Sequence, residues 1–330
     1  MKEKSLFAIT CCLTILFFIV SIMVGKVSIS FQEMMFSDDE VISNLIYNYR
    51  IPKSITAILV GIALPVAGFL MQELFKNPLA EPAVLGVTSM ASLGVGIVIF
   101  IFSLVGLDLY FNNPWILIIA SFLGSLFALV LILSFANKVK SSSSLIIVGF
   151  MFSGLAAALL GLMQYFSASE KIKSFMMWGF GSISGLSWNQ IGVFALAVFV
   201  GLLATSFALK GITGLLLGEK YAQSLGINIK KIRLIILIAS ALLTASATAF
   251  TGPIAFIGLA IPHICRSVLK TGNMKLLLKW IVISGILTML IFSILIDIFP
   301  FGSLPINIIT SLVGAPIVIS ILLNNRFEIK

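Results

Sequence analysis

Charged side chains are scarce. Only 10% of the 330 residues are Asp, Glu, Lys or Arg, while 60% are hydrophobic. A soluble domain carries about 25% charged residues, so this chain has too few to cover a soluble surface. The same shortage, with a mean hydropathy of +1.17, excludes a disordered chain, which is charge-rich and apolar-poor. Histidine occurs once, and the three cysteines (Cys11, Cys12 and Cys265) lie in or beside apolar runs. A multi-histidine metal site, a zinc site and a disulfide framework are therefore not expected. No G-x-x-x-x-G-K-[ST] occurs, so no P-loop cradles ATP phosphates. Gly214 to Lys220 has the wrong spacing and no Ser or Thr after its lysine. No carboxylate pair sits in the middle of an apolar run, since Glu73 and Asp297 lie near run ends. Ion-coupled carriers usually show ionisable groups inside the membrane, and their lack weighs against one.

What remains is a polytopic, all-α membrane protein. A helical span needs about 20 mostly apolar residues, and ten such runs can be read: 6–25, 54–75, 87–105, 114–136, 143–165, 189–209, 232–251, 256–269, 280–298 and 305–324. The eighth is short for a full crossing and is expected to be irregular or re-entrant. The runs are continuous, unlike the alternating strands of a barrel. The first follows Met1-Lys2-Glu3-Lys4, is long for a signal peptide and lacks a small-x-small cleavage site, so it reads as a span. No connection is large enough for a soluble domain, and residues 1–330 read as a single transmembrane domain.

The net charge of +9 would suggest nucleic acid in a soluble protein. Here it is a topology signal. With both termini cytoplasmic, sixteen of the 21 lysines and arginines fall inside, as the positive-inside rule requires. Lys26, Arg50, Lys53, Lys171 and Lys173 fall outside, among seven acids that include Glu33, Asp38, Asp108 and Asp297.

Several stretches carry more than packing. Arg50-Ile51-Pro52-Lys53 opens the second span on the outside. Proline suits a first helical turn, and the two cations face a similar way. They can snorkel at the interface or dock an acidic partner. Gln72 to Pro82 closes that span on the inside, with Pro78 and Pro82 forcing a non-helical turn. Such a turn at membrane depth must be buried or line a cavity, and Gln72 and Asn77 can satisfy its freed backbone groups. Ser141 to Ser144 read as helix-capping serines rather than nucleophiles. Gly218 to Gly226 brackets a short amphipathic helix in the largest inner connection, with Leu217, Tyr221, Ala222 and Leu225 on one face. It either lies on the bilayer or enters a cytoplasmic partner. Small residues at every fourth position (Ser240, Thr244, Thr248; Ala241, Ala245, Ala249) mark close helix packing. Gly252, Pro253, Gly258 and Pro262 interrupt the apolar run ahead of His263. Broken helices are tolerated beside a cavity or against protein. A lone buried histidine is more often a structural hydrogen-bonder than a ligand.

Taken together, these stretches resemble the permease subunits of ABC importers for ferric siderophores, haem and cobalamin. The resemblance rests on Arg50 to Lys53, the Gln72 to Gly86 stretch with its Asn77-Pro78-Leu79-Ala80, Leu217 to Gly226, Gly252 to Leu259 with Pro262-His263, and Leu304-Pro305 followed by Gly314-Ala315-Pro316. It implies a second permease subunit, identical or paralogous, and two ATPase subunits that hold ATP and Mg. It also implies an external substrate-binding protein, commonly a lipoprotein, and residence in the lipid bilayer of a bacterial cytoplasmic membrane. No cofactor, no metal and no catalytic residue is implied in this chain, nor any nucleic-acid partner. The resemblance assigns binding-protein docking to Arg50 and Lys53. It assigns ATPase coupling to Gly218, Glu219, Ala222, Leu225 and Gly226, and a cytoplasmic gate to Asn77, Leu79, Ser142 and Ser143. Gln72, Gly252, Pro253, Gly258, Pro262 and His263 are expected to shape the pathway or its broken helix. The sequence departs from the family pattern after Asp297: no arginine follows, Ser303 replaces an acid, and Asn307 stands where glycine is preferred. The implied function is import of an iron complex, a ferric siderophore first, with haem or cobalamin as alternatives. An ion-coupled carrier is the competing class. A membrane scaffold has no need for the irregular segments.

Overall fold

The structure, a computed structural model, describes residues 2–25, 27, 29–30, 32–33, 39–102, 113–136, 142–216, 218–299 and 304–323. Each of the ten expected spans coincides with a helix. In chain order the helices are α1 (Lys2–Met23), α2 (Glu40–Leu45), α3 (Ile51–Phe75), α4 (Val87–Gly96), α5 (Pro114–Ala136), α6 (Ser142–Tyr165) and α7 (Ser169–Gly179). They continue with α8 (Trp188–Leu216), α9 (Glu219–Ser224), α10 (Ile229–Thr251), α11 (Ile257–Leu269), α12 (Met274–Ile298) and α13 (Ile306–Leu323). A π turn, Ile46–Arg50, joins α2 to α3, and another, Ile97–Ile101, extends α4. Among the described residues, seven helical segments are long and apolar enough to span a membrane, and Val87–Ile101, Ile257–Leu269 and Ile306–Ser320 are shorter apolar ones. The expected short eighth span is α11.

The axis of the packing is α3, which contacts α8, α10, α11 and α12. Its side chains from Ala57 to Met71 form the middle of an apolar core that extends to Ile309. A repeated device lets its neighbours come close. Pro65 has no N–H, so it leaves the carbonyl of Gly61 without its helical partner. Gly285 of α12 lies on that oxygen, and a Cβ there would stand 2.0 Å from it. Pro262 of α11 likewise releases the carbonyl of Gly258, which lies on Gly68 of α3. A Cβ on Gly68 would be 1.7 Å from that oxygen. At both places a glycine replaces a lost helical hydrogen bond with a close Cα–H to oxygen contact, and both contacts bury backbone against backbone. The small-residue stripe of α10 is buried as expected, with Ser240, Ala241, Ala245, Thr248 and Ala249 each at most 5% exposed.

Candidate functional site

At the outer end, Arg50 and Lys53 are not displayed as a free docking pair. Each is only 7% exposed. The π turn carries Arg50 under the end of α1, where Nη1 donates to Ile22 O and Met23 O, both at 2.7 Å, and Nη2 donates to Val27 O. A helix end leaves its last carbonyls without partners, and this guanidinium fork supplies them. Gly25 leaves it room, since a Cβ there would fall 2.9 Å from Nη2. Lys53 Nζ pairs with Asp297 Oδ2 at 2.5 Å and donates to Ser293 O at 3.2 Å, tying the start of α3 to the end of α12. The sequence offered Asp297 only as an isolated acid near a span end. The fold makes it the counter-ion of Lys53, which explains its presence without a following arginine.

At the inner end, α3 stops at Lys76, which adopts φ +48°. The connection to α4 satisfies itself as expected: Asn77 Oδ1 accepts from Leu79 N at 2.9 Å, and Asn77 O accepts from Ala80 N at 3.1 Å. Gln72 points elsewhere, donating from Nε2 to Leu259 O and accepting from Arg266 Nη1 at 2.6 Å. Arg266 also pairs with Glu73 at 2.7 Å and lies 5.9 Å from the Phe69 ring centroid. Arg266 thus ties α11 to the foot of α3, a role that sequence reading did not assign. Ser142 and Ser143 begin α6, but their side chains lie outside the described residues, so of the four residues expected at a cytoplasmic gate only Asn77 and Leu79 have described side chains.

The connection does more than turn. Glu81 and the 3₁₀ turn Pro82–Leu85 lie beside Leu64, Thr244, Thr248 and Ile254, residues within or just after α3 and α10. A Cβ on Gly258 would be 3.2 Å from Glu81 Oε1, so the carboxyl reaches the start of α11. Two effects oppose each other there. The helix N-terminus favours the carboxylate by up to about 2 kcal/mol. Removing an ion from water costs several kcal/mol. Desolvation prevails, and burial pushes this carboxyl, in the connection between two spanning helices, up to about 7.

The broken segment is built around two forced conformations. Gly252 has φ +72°, and a Cβ there would meet Trp178 O at 2.6 Å. Phe256 has φ +68° despite its side chain, and Gly314 of α13 makes space, since a Cβ on Gly314 would lie 2.3 Å from that of Phe256. Asn307 explains its own departure from the family pattern: its Oδ1 accepts from Ala255 N at 3.1 Å, holding a backbone group that the break has freed. His263 is 6% exposed within α11, and its carbonyl accepts from Ser267 Oγ at 3.0 Å.

The segment expected to couple to an ATPase is α9, flanked by Gly218 at φ +105° and Gly226 at φ +78°. Its expected apolar face divides. Ala222 is fully buried against Leu215 and Ile229, and anchors the helix. Tyr221 and Leu225 are 51% and 58% exposed and face outward. Leu217 lies outside the described residues. Glu219 pairs with Arg233 of α10 at 2.6 Å, with both side chains about half exposed.

Finally, a groove of about 600 Å³ runs along α13 beside Phe180, lined by Asn307, Ser311, Leu312, Ala315, Pro316 and Ile319 among others, none charged. Among the described residues no cluster of His, Cys, Asp or Glu could hold a metal ion.

Residues 13–324 match the FecCD transport family. The chain is 35% identical to the vitamin B12 import system permease protein BtuC of Photorhabdus laumondii, covering 97% of this chain and 92% of that one. It is 33% identical to the molybdate import system permease protein MolB of Haemophilus influenzae, over 95% and 94% of the two chains. It is 29% identical to the hemin transport system permease protein HmuU of Yersinia pestis, over 92% and 90%. A solved structure described as an inward-facing conformation of a metal-chelate type ABC transporter superposes with a TM-score of 0.85 at 29% identity, covering 97% of this chain and 99% of that one. The chain belongs to the FecCD transport family as a multi-pass membrane permease of an ABC importer.

Proposed function

We propose that this permease passes a bulky metal chelate, a ferric siderophore in first place, delivered from outside by a binding protein and driven by two ATPase subunits acting on a pair of permeases. The observation that carries the substrate class is the uncharged groove beside α13. Apolar walls with one amide, Asn307, and one hydroxyl, Ser311, suit a chelate that neutralises its metal internally. A bare oxyanion would require cations or aimed N–H groups. Cobalamin is the second reading, favoured by the relative at 35% identity. An uptake panel of ferric siderophores, haem, cobalamin and molybdate in cells carrying the full transporter decides. Siderophore-dependent uptake is the expected result, and uptake of molybdate alone overturns the chelate reading.

Coupling to the ATPase is assigned to α9 because it presents Tyr221 and Leu225 outward from a helix anchored by Ala222. Gly226→Trp places a bulky residue in a left-handed conformation that costs of order 1–3 kcal/mol. Glu219→Arg sets two cations side by side where the Arg233 pair now stands. Both variants should insert normally, yet lose uptake by about tenfold or more while ATP hydrolysis continues. Normal uptake in both would remove α9 from the coupling path.

Docking of the binding protein at Arg50 and Lys53 requires an acidic partner group to take the place of Asp297 on Lys53 Nζ. Lys53→Glu should then weaken binding of that protein, and more so at low salt than at high. Unchanged affinity would leave both cations as internal ties.

A further inference from the structure

The connection that carries Glu81 holds a feature that the importer reading does not use. Beside the Glu81 side chain is a small cavity with room for about one water molecule. Leu64 of α3, Pro82 and Ala83 of the turn, Thr88 of α4, Thr244 and Thr248 of α10, and Ile254 of the break enclose it. Thr244 is 4% exposed and its Oγ1 has no hydrogen-bond partner among the described residues. No described hydrogen bond or ion pair engages the Glu81 carboxyl. The titratable groups on the surrounding helices are Lys53 and Glu73 on α3, Tyr165 on α6, Lys230, Lys231 and Arg233 on α10, and His263, Cys265 and Arg266 on α11, and none lines the cavity; Lys53 is held by Asp297. Glu73 and Arg266 neutralise each other, and Arg233 is taken by Glu219. A carboxyl set among three threonines and apolar walls, with no cation to balance it, is a group that holds a proton. Glu81 keeps partial exposure as a residue, which gives that proton a way in and out.

We propose that Glu81 is a proton-binding site of this permease, neutral while the Asn77 to Gly86 connection is seated against α10 and α11, and ionised when that connection moves away and the carboxyl is hydrated. On ionisation the O–H bond breaks and the proton passes to water, leaving the carboxylate. The free hydroxyl of Thr244 lines the same cavity and can meet the acid through the single water the cavity admits. The sign follows from burial. An acid whose pKa is raised in the seated state and ordinary in the unseated one favours the seated state at low pH. That preference fades as pH rises from the ordinary carboxyl value through neutrality. With Glu81 at about 7 when seated against 4.5 when free, the seated state weakens by about a hundredfold across that window. The site itself does not depend on the importer reading, and only its consequence for transport does.

Two measurements on the full-length chain in lipid nanodiscs test it, neither of them requiring transport. The first is infrared difference spectroscopy during a pH titration. A protonated-carboxyl carbonyl band that shifts on deuteration should vanish near neutral pH and be missing from Glu81→Gln. Thr244→Val, which removes the hydroxyl and keeps the shape, should move the titration upward. The second is labelling of a cysteine at Thr248, in a chain whose native cysteines are replaced by alanine. Relative to the same reporter in Glu81→Gln, labelling should rise about tenfold from about pH 6 to about pH 8. A band unaffected by Glu81→Gln, or equal labelling ratios at both pH values, overturns the proposal. Should Glu81→Gln fail to insert, the band and its response to Thr244→Val decide alone.

Discussion

Gly68→Ala is expected to destabilise this permease by about 3 kcal/mol, and to lower its melting temperature in detergent well beyond ordinary alanine substitutions. The added methyl would sit 1.7 Å from the carbonyl oxygen of Gly258. Both sides of that contact are backbone, so no rotamer can swing away and the two helices must separate. Overpacking of side chains costs about 1–3 kcal/mol, and forced separation here also strips the Gly258 carbonyl of its contact with Gly68 after Pro262 removed its helical bond. Gly285→Ala should behave similarly, since its methyl would meet Gly61 O at 2.0 Å. Gly154 and Gly192 serve as controls, because nothing lies within 4 Å of a Cβ at either position. Alanine there should leave the melting temperature unchanged or raise it, as helix propensity favours alanine over glycine by about 1 kcal/mol. Equal behaviour of Gly68→Ala and Gly154→Ala would remove the carbonyl contacts from the account of how α11 and α12 are held to α3.

Arg50→Ala should cost about as much, through a different mechanism. Its guanidinium donates to Ile22 O, Met23 O and Val27 O from a buried position. Deleting it leaves Ile22 O and Val27 O without their guanidinium donor and Met23 O with only the long bond from Ile29 N at 3.4 Å. Each buried acceptor left unmade costs about 1–3 kcal/mol, and water reaching the vacated space recovers part, so a net loss near 3 kcal/mol is expected. Arg50→Lys should restore only a fraction, because one ammonium cannot reproduce a planar fork that reaches three oxygens. Limited proteolysis reads the effect locally: cleavage between residues 24 and 39 should accelerate in Arg50→Ala and less in Arg50→Lys. If Arg50→Ala melts and digests like the unaltered chain, the guanidinium is free for an external partner, as its place in the sequence suggests.

The sequence by itself determined the number and order of the spans. Continuous apolar length is a one-dimensional property, so helices such as α5 and α6 can be read from it directly, and the lysine distribution supports an orientation. It also determined where helices end, because Pro78, Pro82 and Pro253 stand beside Asn77, Glu81 and Gly252 in the connections, whereas Pro65 and Pro262 are carried inside α3 and α11 against the expectation of a break at Pro262. Asn77 as the group that satisfies the inner turn was legible for the same local reason. Only the tertiary structure decided which polar groups meet. The Lys53–Asp297 pair joins residues 244 positions apart, and Arg266 reaches Glu73 across 193; spacing along a chain carries no information about such partners. The amphipathic reading of Gly218 to Gly226 found the helix but not its orientation, since the burial of Ala222 depends on Leu215 and Ile229 from the flanking helices. Asn307 was visible as an oddity and became a hydrogen-bond acceptor for Ala255 only once α13 lay beside the break. Glu81 shows the difference most sharply. In sequence it is one acid in an inner connection. Folding places it beside α3 and α10 with no counter-charge, and burial rather than residue type sets its chemistry.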